Sequence, residues 1–236
     1  MKLSQPSDQT KTIPAAGGPL KDNLLIATLK NHPGSDIFNI LRTKVLTKMD
    51  ANRWNVLAVT SPRANAGKSF TASNLAISIA AEENHSALLV DFDFRRPSVH
   101  RYFGLSSRKG LSDFVYDDVP LSELLVHPSI KRLTVLPAGR QTSGSLELLT
   151  SSKLLNLLSE LKNRYADRVI IVDLPPLLDT ADALTFLPHA DACLMVVAEG
   201  ESTVDDIKQS MHIVDKNKLL GTVLNKSTEA IASLYY

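Results

Sequence analysis

The sequence has little of several features that would assign it to a particular class of protein. It contains one cysteine, Cys193, so no internal disulfide can form. Cys193 lies in the apolar run ACLMVV and is expected to be a buried structural thiol. No apolar run approaches the roughly 20 residues of a membrane span, and the N-terminus lacks the apolar core of a signal peptide. These absences favour a cytoplasmic protein.

An excess of charge is also missing. The formal net charge of the 236 residues is +1, which gives no bulk electrostatic attraction to DNA or RNA, and no nucleic-acid partner is expected. The six histidines are scattered without an H-x₃-H pair or a cysteine partner, so no zinc site is predicted. With 44% hydrophobic and 22% charged residues, the composition is typical of a soluble globular protein.

Composition divides the chain into three segments. Residues 1–23 are rich in Ser, Thr, Gln, Pro and Gly, which cannot bury much surface and predict a disordered tail. Residues 24–226 carry apolar patterns throughout and are predicted to form a single domain. Residues 227–236 are predicted to be a flexible tail that ends in Tyr235 and Tyr236.

Within the predicted domain, short apolar runs alternate with segments of helical spacing. The predicted strands are 54–60, 86–93, a part of 130–138, 168–175, 191–199 and 219–226. The predicted helices are 35–49, 68–83, 152–166, a short one within 180–190, and 203–216. Continuous apolar strands that alternate with helices indicate an α/β fold, in which helices cover both faces of a mainly parallel sheet.

The stretch SPRANAGKSF (61–70) lies between a predicted strand and a predicted helix and resembles a phosphate-binding loop. Gly67, Lys68 and Ser69 match the end of the pattern G-x-x-x-x-G-K-[ST], whereas Pro62 occupies the position of the first glycine. A helix N-terminus offers free N–H groups to phosphate, and in this pattern Lys reaches the phosphates while Ser binds Mg²⁺. Alternatively, G-K-S simply begins a helix, but its position between strand and helix favours a nucleotide site.

Carboxylates follow two other predicted strands. Asp91 and Asp93 close the run ALLVDFD, and because residues two apart share one face of a strand, both can point toward the same phosphates. Asp173 after RVIIV matches the Walker B pattern, whose acid holds Mg²⁺ directly or through water. Each could instead be an ordinary strand-end or turn acid. Asn225 ends the last predicted strand and could recognise a base, although Asn is common at turns.

Together these motifs resemble those of the bacterial tyrosine kinases (BY-kinases) of capsule and exopolysaccharide synthesis. This family is a branch of the deviant-Walker P-loop ATPases, whose other members place septa and partition chromosomes. The resemblance runs from about Leu24 to Asn225 and resumes at the final tyrosines. The motifs that carry it are TSPRANAGKSFTASNLA, LLVDFDFRRPSVHRYFG, GLSDFV, LTVLPAG, VIIVDLPPLLDTADAL and LLGTVLNK.

The resemblance implies a P-loop NTPase-like three-layer sandwich that transfers a phosphoryl group from ATP to tyrosine with Mg²⁺. An ordinary tyrosine has a pKa near 10, so a carboxylate must accept its proton, and the resemblance favours Asp91. The implied catalytic residues are Lys68, Asp91 and Asp93. The implied metal ligands are Ser69, Asp93 and Asp173. The implied nucleotide-binding residues are Arg63, Ala64, Asn65, Ala66, Gly67, Lys68, Ser69, Phe70 and Asn225. The implied phosphoacceptors are Tyr235 and Tyr236.

The resemblance also implies partners. These are a transmembrane chain-length regulator of polysaccharide synthesis whose cytoplasmic segment activates the kinase, further copies of the chain in a homo-oligomer, and a tyrosine phosphatase. The expected location is the cytoplasm, at the inner face of the cell membrane.

The loop and the first predicted helix depart from the patterns of these families at several positions. Asn65 can replace a glycine of the loop because Asn tolerates left-handed backbone conformations. Arg63 occupies the position of the signature lysine of the positioning ATPases. The helix motif E-x-x-R-x-x-R reads here as Asp36, Asn39 and Arg42. Two other hypotheses therefore stay open, a nucleotide-switched positioning ATPase and a nucleotide-binding regulator without catalysis.

Overall fold

The computed structural model describes residues 11–12, 25–29, 32–105, 109–164 and 167–228. Tyr235 and Tyr236, the predicted phosphoacceptors, lie outside these ranges. So does the segment predicted to be a disordered tail, except for Lys11 and Thr12, which form a short strand.

The helices and strands predicted from apolar spacing are all present, with shifts of a few residues at their ends. The strands are β1 (Lys11–Thr12), β2 (Val56–Thr60), β3 (Ser86–Asp91), β4 (Val126–His127), β5 (Leu133–Leu136), β6 (Arg168–Asp173), β7 (Ala192–Ala198) and β8 (Leu219–Asn225). The α-helices are α1 (Pro33–Asn52), α2 (Lys68–Ala81), α3 (Val99–Tyr102), α4 (Leu111–Asp117), α5 (Leu121–Leu124), α6 (Ser145–Leu149), α7 (Ser152–Arg164), α8 (Asp182–Phe186) and α9 (Val204–Ile213). Short 3₁₀ helices span Ile26–Thr28 and Leu187–His189.

The strands of the described residues form one sheet in the order β1-β4-β5-β3-β6-β2-β7-β8. The pairs β5-β3, β3-β6, β6-β2, β2-β7 and β7-β8 are parallel, and β4 is antiparallel to β5. β2 is buried along its whole length because it lies mid-sheet with apolar layers on both faces. The carboxyl ends of β2, β3 and β6 therefore meet at one edge of the sheet, where ligands bind in open α/β folds.

Two apolar cores lie on the two faces of the sheet. Successive side chains of the central strands pack into opposite cores, as Leu57 and Ala58 of β2 do. One core includes residues of α1 and α2, and the other includes residues of α4, α6, α7 and α8. The predicted three-layer α/β sandwich with a mainly parallel sheet is therefore confirmed.

Helix α2 carries the end of the phosphate-loop motif and is buried along almost its whole length. Its small residues, Ala72, Ser73 and Ala76 among them, let it lie between the sheet and α1. A helix held on several sides fixes the position of its own N-terminus at the sheet edge. In the part of the chain that is described, no helix combines the length and the apolar character needed to cross a membrane.

Candidate phosphate-binding and phosphoryl-transfer site

The loop from Ser61 to Gly67 joins the end of β2 to the first residue of α2, as the motif predicts. Asn65 has φ +65° and Gly67 has φ +89°, so both adopt the left-handed conformation that bends the loop back on itself. The expectation that Asn65 can replace a glycine is confirmed by this angle. A Cβ atom built at Gly67 would lie 2.0 Å from the Asn225 Nδ2, so a side chain at this position would displace the Asn225 amide from the loop.

Lys68 begins α2, and its ammonium group lies between the carboxylates of two adjacent strands. Its Nζ is 2.9 Å from Asp93 Oδ2 and 3.5 Å from Asp173 Oδ1. Burial lowers the pKa of Lys68, but the charges of Asp173 and Asp93 outweigh burial and raise that pKa above its ordinary value. Lys68 is therefore a cation at any physiological pH, as phosphate binding requires.

Ser69 and Asp173 lie together at the start of α2. The Ser69 hydroxyl donates a short hydrogen bond to Asp173 Oδ2, so a hydroxyl and a carboxylate oxygen face one point. Hard oxygen donors of this kind suit Mg²⁺, which keeps several waters and uses few protein ligands. The described residues contain no group of three His, Cys, Asp or Glu side chains arranged to hold a metal alone. Magnesium at Ser69, Asp93 and Asp173 stays a prediction.

Asp91 has a structural role that the sequence did not reveal. Its Oδ1 accepts a hydrogen bond from the Asp93 N–H at 3.0 Å, and its Oδ2 accepts from the N–H groups of Ser98 at 3.0 Å and Val99 at 3.1 Å. These bonds fix the loop between β3 and α3. Asp93 has fewer such bonds, since Oδ1 accepts from the Arg96 N–H at 2.9 Å and Oδ2 faces Lys68.

The electrostatics of the acids follow from their burial. Asp91 and Asp173 are both 0% exposed and lie opposite each other in the β3–β6 register. Burial, and then the charge of Asp173, raises the pKa of Asp91 to about 7. Burial also raises the pKa of Asp173. A carboxyl group with a pKa near 7 can accept and release a proton at physiological pH. The assignment of the proton acceptor to Asp91 stays a prediction.

Arg63 is tied to its own chain at the edge of the loop. Its Nη1 is 3.1 Å from Asp179 Oδ1 and its Nε is 2.9 Å from Asp206 Oδ1, while Asp179 Oδ2 accepts from the Ala64 N–H. The hydrogen bonds to Asp179 and then Asp206 raise the pKa of Arg63. The side chain is half exposed. Arg63 thus joins the loop to the segment after β6 and to the first turn of α9.

The other predicted nucleotide-binding residues lie around the loop. Asn225 donates from Nδ2 to the carbonyl oxygen of Ala66 at 2.9 Å, so the end of β8 contacts the loop directly. Phe70 points to the other side of α2, where its ring meets that of Phe38 edge-on at 5.8 Å between centroids. The structure therefore brings Asn225 to the loop, whereas Phe70 packs against α1.

Two residues of the helix motif on α1, Asn39 and Arg42, contact α2, whereas Asp36 is exposed. Arg42 donates from Nη1 to the Ser78 carbonyl oxygen at 2.9 Å, and the Ser78 hydroxyl donates to Asn39 Oδ1 at 3.1 Å. Asn39 and Arg42 hold α1 against α2 within one chain.

A cavity of about 320 Å³ lies at the opposite end of the sheet from the loop. Its lining is mostly apolar and includes Cys193, whose pKa burial raises to about 12. The prediction of a buried structural thiol is confirmed. This cavity does not suit phosphates, because it offers few charged groups.

Comparison with known proteins agrees with this site. The profile of the family described as "AAA domain" matches residues 54–227. The chain belongs to this family. The Staphylococcus aureus protein named "Putative tyrosine-protein kinase CapB" is 29% identical over 204 residues, which cover 86% of this chain and 88% of that protein. The tyrosine-protein kinase ptk of Acinetobacter johnsonii is 27% identical, and the match spans 28% of its length.

Solved structures of tyrosine kinases are also similar to this chain. The chimerical protein CapA2B2 superposes with a TM-score of 0.80 at 28% identity, covering 88% of this chain and 91% of that one. The kinase domain of Escherichia coli tyrosine kinase ETK has a TM-score of 0.73 at 27% identity, covering 82% and 77%. The septum site-determining protein MinD of Pyrococcus horikoshii, complexed with Mg-ADP, has a TM-score of 0.60 at 19% identity over 75% and 72%, which shows the fold alone. The predicted resemblance to bacterial tyrosine kinases within the P-loop ATPases is confirmed.

Proposed function

We propose that this chain is an ATP-dependent protein-tyrosine kinase that phosphorylates tyrosines of its own sequence and so regulates the polymerisation and export of exopolysaccharide or capsule. The observation that carries the proposal is the contact of Lys68 with Asp93 and Asp173. It brings a P-loop lysine, an acid of the motif after β3 and the Walker B acid to one point. Relatives and solved structures named tyrosine kinases support the reaction class.

In this proposal, one set of residues binds the phosphates and the metal ion, and Asp91 accepts the proton. The N–H groups at the start of α2 and the Lys68 ammonium group would bind the nucleotide phosphates, since both present positive charge at the loop. Ser69, Asp93 and Asp173 would hold Mg²⁺, which neutralises charge on the transferring phosphoryl group. Arg63, Ala64, Asn65, Ala66 and Gly67 would shape the loop, and Asn225 would lie beside it.

Asp91 would accept the proton of the attacking tyrosine hydroxyl. Its pKa of about 7 is well above the ordinary value for Asp and brings it nearer to the pKa of tyrosine, which helps proton transfer. The hydrogen bonds to the loop hold the carboxylate in a fixed position. Tyr235 and Tyr236 would be the acceptors, presented by a neighbouring copy of the chain.

The partners and the location belong to the same proposal. A transmembrane chain-length regulator would activate the kinase through a cytoplasmic segment, and a tyrosine phosphatase would reverse the modification. The chain would work in the cytoplasm, at the inner face of the membrane. The position of Arg63 disfavours a positioning ATPase, because Asp179 and Asp206 of the same chain already bind its guanidinium group.

The test is phosphosite mass spectrometry on protein co-expressed with the cytoplasmic segment of its cognate regulator. Wild type should gain phosphate on Tyr235 or Tyr236. Lys68→Met should abolish it, and Ser69→Ala, which keeps the ion pairs of Lys68, should reduce it strongly. Lys216→Met, at the opposite edge of the sheet, should behave as wild type. Nucleotide hydrolysis without phosphotyrosine would instead support a positioning ATPase, and nucleotide binding with neither reaction would support a non-catalytic regulator.

A further inference from the structure

The segment that follows the acids of β3 is strongly basic. Between Phe94 and Gly110 the sequence contains Arg95, Arg96, Arg101, Arg108 and Lys109, and no Asp or Glu. The backbone of Arg96 lies beside the site, because its N–H group donates a hydrogen bond to Asp93 Oδ1 at 2.9 Å. Arg101 lies on α3, the single-turn helix whose first N–H groups are bound by Asp91.

Other cations at this edge of the sheet already have acidic partners. Arg63 pairs with Asp179 and Asp206, Arg95 with Asp182, Arg140 with Asp113 and Asp117, and Lys226 with Glu201. The side chains of Arg96 and Arg101 are exposed, and neither side chain forms an ion pair or a hydrogen bond within the part of the chain that the structure describes. Two exposed arginines on the segment whose backbone binds Asp91 and Asp93 are thus available to an anion from outside.

The acceptor segment has the chemistry that fits these groups. Tyr235 and Tyr236 are adjacent, so phosphorylation of one places a dianion beside the other. In an extended chain, successive side chains point to opposite sides about 3.5 Å apart along the chain. When one tyrosine enters the site, the neighbouring phosphotyrosine therefore projects outward close to the site. Guanidinium groups bind phosphate in a bidentate manner.

We propose that Arg96 and Arg101 form a phosphotyrosine-recognition site that binds the first phosphorylated tyrosine of the tail of a neighbouring copy and presents the second tyrosine for transfer. This inference rests on the proposed kinase function and adds that the two tyrosines are phosphorylated in sequence. Phosphorylation of the first tyrosine accelerates that of the second. The two arginines determine substrate preference and take no part in the chemistry.

Binding is measured first, so that the result does not depend on activity. Fluorescent peptides of residues 226–236, unphosphorylated or phosphorylated on one tyrosine, are titrated by anisotropy against full-length protein carrying Tyr235→Phe and Tyr236→Phe. We expect phosphopeptide to bind about tenfold more tightly, a difference typical of a charge-assisted contact. Arg96→Gln with Arg101→Gln should remove this preference, Arg96→Lys should keep part of it, and Lys216→Gln should leave it intact.

Transfer to the same peptides with ATP and Mg²⁺ gives the second measurement. We expect the wild type to have a lower KM for the singly phosphorylated peptide than for the unphosphorylated one. The double arginine variant should lose this difference in KM but keep its kcat. Arginine-dependent binding of phosphopeptide without transfer to any peptide would contradict the kinase function but keep the recognition site. Equal binding and equal KM for all peptides would overturn the recognition site, as would a loss of ATP affinity in Arg96→Gln, which would assign this residue to the nucleotide.

Discussion

The Nζ of Lys68 lies 2.9 Å from Oδ2 of Asp93, so the lysine predicted to bind phosphate is held by an acid of the same site. Asp173 lies on the other side of the same ammonium group. Lys68 therefore compensates the negative charge of buried carboxylates. If the proposed function is correct, nucleotide phosphates would compete with Asp93 for this lysine.

Lys68→Met should lower stability as well as abolish transfer. It leaves three buried carboxylates without their cation, and breaking a buried ion pair on one side costs about 3–5 kcal/mol. The loss should be largest above pH 7, because the raised pKa of Asp91, about 7, means that this group takes up a proton as the pH falls toward 6. Urea unfolding at pH 8 and pH 6 measures this, with Lys216→Met as the control. Equal losses of stability in the two variants would contradict the role of Lys68 as internal cation.

Gly67→Ala should weaken nucleotide binding. The new Cβ would lie 2.0 Å from Asn225 Nδ2, at a φ of +89° that costs a side chain about 1–2 kcal/mol. Gly200→Ala is a matched control, since it has φ +73° but nothing within 4 Å of its Cβ. Both variants should lose similar stability from backbone strain. Only Gly67→Ala should raise the Kd for ATP in calorimetry, and Gly67→Ala with Asn225→Ala should recover part of the affinity. Equal Kd values in both single variants would show that the contact does not matter.

Asp91→Asn should loosen the loop between β3 and α3. An amide retains one acceptor oxygen, but its NH₂ group would face a backbone N–H that now has no acceptor. Hydrogen exchange of residues 93–99 should accelerate by about tenfold, the change expected when a buried hydrogen bond is lost. Asp93→Asn should change exchange much less, because its remaining oxygen can still accept from Arg96. Unchanged exchange in Asp91→Asn would leave Asp91 with the proton-acceptor role alone.

His85→Gln should reduce stability at acidic pH more than at alkaline pH. Partial burial lowers the pKa of His85, but hydrogen bonds to Glu82 at 2.6 Å and Asp50 at 3.3 Å outweigh it and raise this pKa. A raised pKa means that the stabilisation is fully present below the pKa of the unfolded chain, about 6.5, and is lost as the pH rises through the folded-state value. The difference in Tm between wild type and variant should be larger at pH 6 than at pH 9, and should correspond to about 1 kcal/mol or less. A difference independent of pH would contradict this account.

The sequence predicted most of the central elements because apolar periodicity is a local signal. β2, α2, β3 and β6 appear where the spacing of apolar residues placed them. The short helices α3 to α6 and the two-residue strands β1 and β4 were not predicted, because elements this short show no apolar period that can be counted. β4 pairs antiparallel to β5 through Val126 and Val135, which are close in the chain, and parallel to β1 through Lys11 and Val126, which are far apart in it.

The sequence by itself determined that a loop with Gly67, Lys68 and Ser69 precedes a helix, and that acids follow two buried strands. Only the tertiary structure decided that β3 pairs with β6, which sets Asp91 opposite Asp173. It alone showed that Asp91 also binds the backbone of α3. The physical reason is that strand order and register in a parallel sheet follow from long-range packing of both faces, whereas residue patterns along the chain report only which segments become strands and helices.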